Sequence, residues 1–166
     1  MVSGSIRKLL QEYIPALKVK WPNDLVVPGR GKIGGVLIEN VLSSGKWEFA
    51  VVGVGLNINQ LQFGHAKATS LAALTGGFFD LEELFRMLIA HLEQGYISLK
   101  KGKVDEIHRD YLHHLFLREE WAVFVEKSNE FEGKIAGISK EGRLRMELKD
   151  GSDRLFDLKE ISFPNL

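Results

Sequence analysis

The apolar positions change period several times along the chain, and each change predicts an element. Ile6, Leu9, Leu10 and Tyr13 share one helical face, which predicts a helix over 5–13 that Pro15 stops. Residues 17–21 alternate apolar and basic side chains, a short strand that Pro22 ends. Pro28-Gly29-Arg30-Gly31 is turn chemistry. Two apolar runs follow, 33–41 and 47–57, joined by Ser43-Ser44-Gly45 as a hairpin. Both runs are apolar on both faces over much of their length, so the hairpin is expected inside a sheet covered on both sides. Helical spacing then returns. A short helix is expected over 69–75, ended by Gly76-Gly77. A long one follows the Asp80/Glu83 capping box, and a third covers 103–116.

After about Glu120 the period drops to two. Residues 121–126, 130–139, 143–148 and 152–158 read as four short strands, with Lys140-Glu141-Gly142 and Asp150-Gly151 as turns. Short strands packed this densely predict a small SH3-like or OB-like barrel, with Trp121, Phe124, Phe131 and Phe156 as its core. The expected division is 1–118 and 119–166, and 166 residues suffice for one domain with a small appended barrel.

Charge and composition narrow the function. Lys plus Arg and Asp plus Glu are 22 each, so the net charge is zero, which argues against a nucleic-acid partner held by bulk charge. No apolar run approaches the ~20 residues that span a bilayer, and the first residues lack a signal-peptide core. A cytoplasmic protein with no membrane partner is expected. The chain has no cysteine, which excludes disulfides, thiolate nucleophiles and Cys-ligated zinc. His113 and His114 are adjacent on a helix and point to different faces, so they make a poor metal pair; none of the five histidines is expected to ligate a metal.

The unusual chemistry lies between Lys20 and Asn59. Gly34 and Gly35 on one strand of the hairpin, with Gly53 and Gly55 on the other, each cost roughly 0.5–1 kcal/mol relative to alanine. Four such costs in one hairpin point to a close approach, by a flat ligand or by a packed helix or bulge. Polar residues surround these glycines. Lys32 can neutralise a phosphate or a developing oxyanion. Asn57 offers the donor and acceptor that suit an adenine edge. Asp24 can take or steer a proton, and Asn23 sits beside it. Each alone is an ordinary turn or surface residue; their clustering around the glycines favours a site.

Three segments then carry a resemblance: Lys20-Trp21-Pro22-Asn23-Asp24-Leu25, Lys32-Ile33-Gly34-Gly35-Val36-Leu37-Ile38-Glu39 and Gly53-Val54-Gly55-Leu56-Asn57-Ile58-Asn59. In order and spacing they resemble the signature segments of biotin protein ligases, and the later helices and strands extend the likeness over nearly the whole chain. The resemblance implies an α+β fold, a mixed β-sheet with flanking helices similar to class II aminoacyl-tRNA synthetases, followed by an SH3-like β-barrel. Residues 1–118 would be a partial catalytic domain. The implied reaction joins biotin and ATP, with Mg2+ accompanying the nucleotide, into biotinyl-5′-AMP. Biotin then passes to a lysine of a biotin carboxyl carrier protein domain. The resemblance gives Lys32 and Asp24 catalytic roles, at the acyl phosphate and at the incoming amine. Asn57 would read the adenine, and Asn23 would support the nucleotide side. Gly34, Gly35, Val36 and Leu37, with Gly53, Val54 and Gly55, would floor the biotin pocket.

Members of that family also carry a Gly/Arg-rich loop upstream of the tryptophan motif. The sequence is expected to start after that position, and Gly29-Arg30-Gly31-Lys32 lies between two strands, the wrong place to replace it. Two expectations follow: a ligase fragment or subunit that works with an N-terminal half or as a homodimer, or a non-catalytic binding module.

Overall fold

The computed structural model describes residues 1–64 and 67–164. His65 therefore lies outside the described residues. The elements are α1 (Val2–Leu10), β1 (Lys18–Lys20), β2 (Asp24–Val27), β3 (Gly31–Ser43), β4 (Lys46–Leu56), α2 (Leu71–Thr75), α3 (Leu81–Lys100) and α4 (Val104–His113). After them come β5 (Trp121–Glu126), β6 (Asn129–Ile138), β7 (Leu144–Leu148), β8 (Asp153–Phe156) and β9 (Ile161–Ser162). The fold is α+β, with two sheets in the orders β1-β2-β3-β4 and β8-β7-β6-β5-β9. Every ladder between named strands is antiparallel, where a mixed sheet was expected. Parallel contacts occur only as the isolated bridges Val19–Leu115, Lys32–Ala68 and Arg118–Ile135 among the described residues. No helix among them is long and apolar enough to cross a membrane.

Helix α1 buries its expected stripe of Ile6, Leu9 and Leu10 against α3 and the first sheet. It ends at Leu10, earlier than the apolar spacing suggested, because the Leu10 carbonyl takes the N–H of Tyr13 and of Ile14 in a closing turn. Ser70 caps α2 by accepting the Ala73 N–H, and Gly76 leaves it in the left-handed region at φ 74°. Asp80 caps α3 through the N–H groups of Glu82 and Glu83. The distribution of apolar side chains forms two cores. One joins α1, the first sheet and α3. The other lies on the second sheet and includes Trp21 from the loop after β1.

Some readings change, and the turn expected at Pro28-Gly29-Arg30-Gly31 holds. Residues 24–27 form a strand, β2, although turn residues precede and follow them; Asp24 opens that strand rather than closing a turn. Gly29-Arg30-Gly31 is the β2–β3 turn, with Gly29 at φ 70° and Gly31 at φ 107° and the Arg30 N–H bound to the Val27 carbonyl. The β3–β4 hairpin is not covered on both sides. Its outer half is bare, with Leu37 62% and Val51 54% exposed, since α1 and α3 reach only the half nearest Val36 and Leu56. In the second sheet Phe124 and Phe156 are buried as expected. Trp121 is 40% exposed instead, lying under the ammonium groups of Lys134 and Lys149.

Candidate functional site

All the residues named from the sequence as binding or catalytic line one groove of about 910 Å3. Asn23 and Asp24 come from the start of β2, Lys32 to Leu37 from β3, and Gly53 to Gly55 with Asn57 from β4 and its exit. Strand register explains the convergence. Lys20 pairs with Asp24, Asp24 with Gly35, and Gly35 with Gly55, so these four positions form a single row across all four strands. Directly paired residues project to the same face of a sheet. Leu37 and Gly53, one step along, pair on that face as well.

Lys32 reaches this face through an irregularity. In an unbroken strand Lys32 and Gly35, three residues apart, would point to opposite sides. Between β2 and β3 the register shifts: Leu25 pairs with Gly34 but Val26 pairs with Lys32, leaving Ile33 as the extra residue of a β-bulge. Ile33 turns fully into the core, and Lys32 swings onto the groove face. There its Nζ lies 2.6 Å from Asp24 Oδ1. A Cβ placed on Gly35 would meet that same pair, at 3.1 Å from Asp24 Oδ1 and 3.4 Å from Lys32 Nζ. The pair is half open to solvent, at 44% and 26% side-chain exposure, so its contribution to folding is modest.

The glycines do different jobs. At Gly34 a Cβ would lie 2.4 Å from the Gly55 carbonyl and 2.6 Å from Leu56 Cδ2, so the sheet itself demands glycine there. At Gly53 the nearest atom would be 3.6 Å away and at Gly55 4.0 Å, so no packed helix or neighbouring strand explains them. These two leave an open backbone floor.

The polar residues are anchored locally. Asn23 and Val36 clamp each other: the Val36 N–H donates to the Asn23 carbonyl at 2.9 Å and Asn23 Nδ2 donates to the Val36 carbonyl. Asn57 holds the loop before α2, its Nδ2 donating to the Thr69 carbonyl at 3.0 Å while its own carbonyl accepts the Leu71 N–H. That loop supplies Phe63, Gly64 and Ala68 to the groove wall, and with Leu56 these are the lining residues that sequence reasoning missed. The loop has no period and no motif; it joins the site because the Lys32 N–H donates to the Lys67 carbonyl and the Thr69 N–H to the Lys32 carbonyl. Behind the site Trp21 is only 5% exposed and donates its indole N–H to the Gly142 carbonyl of the second sheet. The second sheet therefore fixes the segment that presents Asn23 and Asp24.

His113 and His114 lie away from the groove. His114 Nδ1 sits 2.8 Å from the Asp110 carbonyl, and burial holds its ring below the usual histidine pKa.

The row of cation, carboxylate and bare backbone falls within residues 5–57, which match the family model described as biotin/lipoate A/B protein ligase. Over a longer span the chain is 26% identical across 155 residues to the bifunctional ligase/repressor BirA of Bacillus spizizenii, covering 83% of this chain and 44% of that protein. It is 36% identical over 97 residues to the chloroplastic biotin–protein ligase 1 of Arabidopsis thaliana, covering 51% of this chain and 25% of that one. The biotin protein ligase of Aquifex aeolicus solved in complex with biotin and ATP superposes with a TM-score of 0.75 at 24% identity, over 99% of this chain and 69% of that one. The chain thus shares the fold of biotin protein ligases over its whole length, and spans less than half of the Bacillus relative.

Proposed function

We propose that this chain carries the adenylation and acyl-transfer centre of a biotin protein ligase, with ATP and biotin as substrates and a lysine of a biotin carboxyl carrier domain as acceptor. The observation that carries the reading is the register row in which the Asp24–Lys32 pair, packed against Gly35, borders the open backbone of Gly55 and Gly53. A flat ligand lying on that floor brings its acyl end to the pair. A carboxylate oxygen of biotin attacks the α-phosphorus of ATP and pyrophosphate departs; Lys32 neutralises the charge that gathers there. The acceptor amine then attacks the acyl carbon, an amide forms, AMP leaves, and Asp24 lies in place to take the amine's proton. Asn57 keeps its amide oxygen for the adenine amino group while its nitrogen holds the Thr69 loop. Asn23, locked to Val36, fixes the strand start from which Asp24 projects.

Asp24 is the one carboxylate among the described groove residues. A Mg2+ arriving with ATP would be held mainly by phosphate oxygens and water, as is usual for this ion. The further parts of the reading are a catalytic unit over 1–118, an SH3-like barrel over 119–166 and a cytoplasmic location. Five short antiparallel strands around Phe124, Ile135 and Phe156 support the barrel. The bare outer hairpin and an apolar groove of about 390 Å3 between β4 and α3 favour a chain that works against further polypeptide, an N-terminal half or a second copy.

The test is calorimetry with a non-hydrolysable biotinyl-adenylate mimic, alongside biotin transfer to a carrier domain. Wild type should bind the mimic, and Lys32→Ala should weaken binding at least about tenfold. It should shift stability by less than about 1 kcal/mol, since the pair is half exposed. No heat from the mimic at high concentration counts against the ligase reading. Binding without transfer, even with an upstream fragment added, supports the non-catalytic module instead.

A further inference from the structure

Strand β4 ends the first sheet, and no strand lies on its other side among the described residues. One hydrogen bond shows which of its backbone groups face that edge. The Val36 N–H goes to the Asn23 carbonyl, so Val36 turns toward β2, and Gly35 and Leu37 turn toward β4. Their partners Gly55 and Gly53 turn back toward β3. Ala50, Val52 and Val54 therefore present N–H and C=O to the open edge. Such an edge is ordinarily blunted by lysine, proline or a bulge. From Phe49 to Leu56 β4 has no charge and no proline, and the register shift of the hairpin falls before that run, between Val41 and Leu42.

Helix α3 leaves an apolar stripe bare beside the same edge. Leu84 and Leu88 are buried, while Leu81, Phe85 and Ile89, spaced i, i+4, i+8, are exposed. Both sets line the groove of about 390 Å3 with Val52 and Val54. Edge and stripe are each self-complementary. A two-fold axis perpendicular to the sheet at Val52 pairs β4 with its own copy, Val52 to Val52 and Ala50 to Val54. Phe49 and Val51 of the copy then stand beside Gly55 and Gly53, since directly paired residues share a face. An axis at Gly53 sets glycine on glycine, and one at Val51 runs the pairing into the register shift. The axis at Val52 also passes between the two α3 helices, where an antiparallel pair centred on Phe85 sets Leu81 against Ile89. Glu82 and Arg86, on the outer side of the stripe, then lie beside Arg86 and Glu82 of the copy. The net charge is zero, so nothing repels two copies at a distance.

We propose that the β4 edge and the bare α3 stripe form one homodimer surface, on which a second copy of this chain pairs β4 to β4 antiparallel about Val52. The four strands of each copy become one continuous sheet. Both β4 edges are used, so the assembly closes at two. The surface stands without the ligase reading. It puts Phe49 and Val51 of the second copy along the open side of the groove's glycine floor.

Sedimentation velocity of the whole chain across a range of concentrations tests it. Wild type should run as a dimer. Phe85→Lys charges the centre of the exposed stripe, and Val52→Pro removes the N–H at the axis without breaking a bond to β3. Each should raise the dimer dissociation constant about tenfold or more. Thermal melts show which variants are folded, and Phe85→Lys, at an exposed helix position, suffices if Val52→Pro is not. Because the chain has no cysteine, a single introduced thiol reads the register. Cα atoms of a hydrogen-bonded antiparallel pair lie about 5.5 Å apart, within disulfide range, so Val52→Cys should cross-link to its copy under mild oxidation. Ala50→Cys would lie about 14 Å from its own copy and should not. A monomer at every concentration overturns the surface and leaves the edge to a different polypeptide. A dimer unchanged in folded Phe85→Lys overturns it too, as does Ala50→Cys cross-linking as readily as Val52→Cys. Failure of the ligase reading looks different: the mimic does not bind, whether or not the chain is a dimer.

Discussion

Gly34 and Gly55 are diagonal neighbours on paired strands, yet adding one methyl to each should have opposite consequences. At Gly34 the new carbon would stand 2.4 Å from the Gly55 carbonyl oxygen and 3.2 Å from Leu56 Cα. Both are backbone, so relief requires β4 to move, and Gly34→Ala should lose about 1–3 kcal/mol, the usual range for overpacking. At Gly55 the nearest atom would be 4.0 Å away, an ordinary contact. Replacing a strand glycine by alanine then removes unfolded-state entropy, and Gly55→Ala should gain roughly 0.5–1 kcal/mol. The same methyl rises from the floor where the adenylate would lie, so mimic affinity should drop about tenfold, and further for Gly55→Val. Urea unfolding with linear extrapolation gives the stabilities, and calorimetry gives the binding. Two results refute the reasoning. If Gly55→Ala is destabilised as much as Gly34→Ala, the floor is packed rather than open. If it is stabilised but binds the mimic as wild type does, the ligand lies elsewhere.

Trp21→Ala should cost about 3–5 kcal/mol, because it empties a buried position in the second core, whereas Trp21→Phe loses chiefly the hydrogen bond to Gly142, worth about 1 kcal/mol; chemical denaturation separates them. Asp110→Ala removes the carboxylate 3.1 Å from the buried Arg7 guanidinium, and orphaning that charge should cost about 3 kcal/mol in the same assay, with Arg7→Met in the Asp110→Ala background restoring part of it. His114 is held below its ordinary value of 6.5, first by burial, so the unfolded chain takes up a proton that the folded one resists; stability is full above about pH 6.5 and should fall as pH drops through it, a limb that His114→Gln flattens in thermal melts. A separate acid limb should remain below about pH 4.5, where Glu126, Glu141 and Asp150, all held low by hydrogen bonds from Arg154, Ser139 and Ser152 respectively, are protonated.

Local chemistry was legible in the sequence. Apolar spacing set most helices and strands to within a few residues, and the Asp80 cap, the Ser44-Gly45 turn and the Asp150-Gly151 turn act as their residue types require. Four glycines among polar residues singled out positions that the fold gathers into one groove, because glycine in a strand has a cost that must have a cause. The particular cause at each glycine was not legible: Gly34 answers to its own sheet, Gly53 and Gly55 to open space, and only the paired backbones tell them apart. Strand β2 was missed because four residues between two turn segments show too little alternation to declare a period. The bare outer hairpin escaped for a related reason, since an apolar strand reads the same whether or not anything covers it. Above all, the meeting of Lys32 with Asp24 depends on a bulge at Ile33 that reverses the ordinary alternation of side chains. Sequence determined which groups this protein could bring to a site; register, a long-range property of hydrogen bonds between strands, decided which of them share a face.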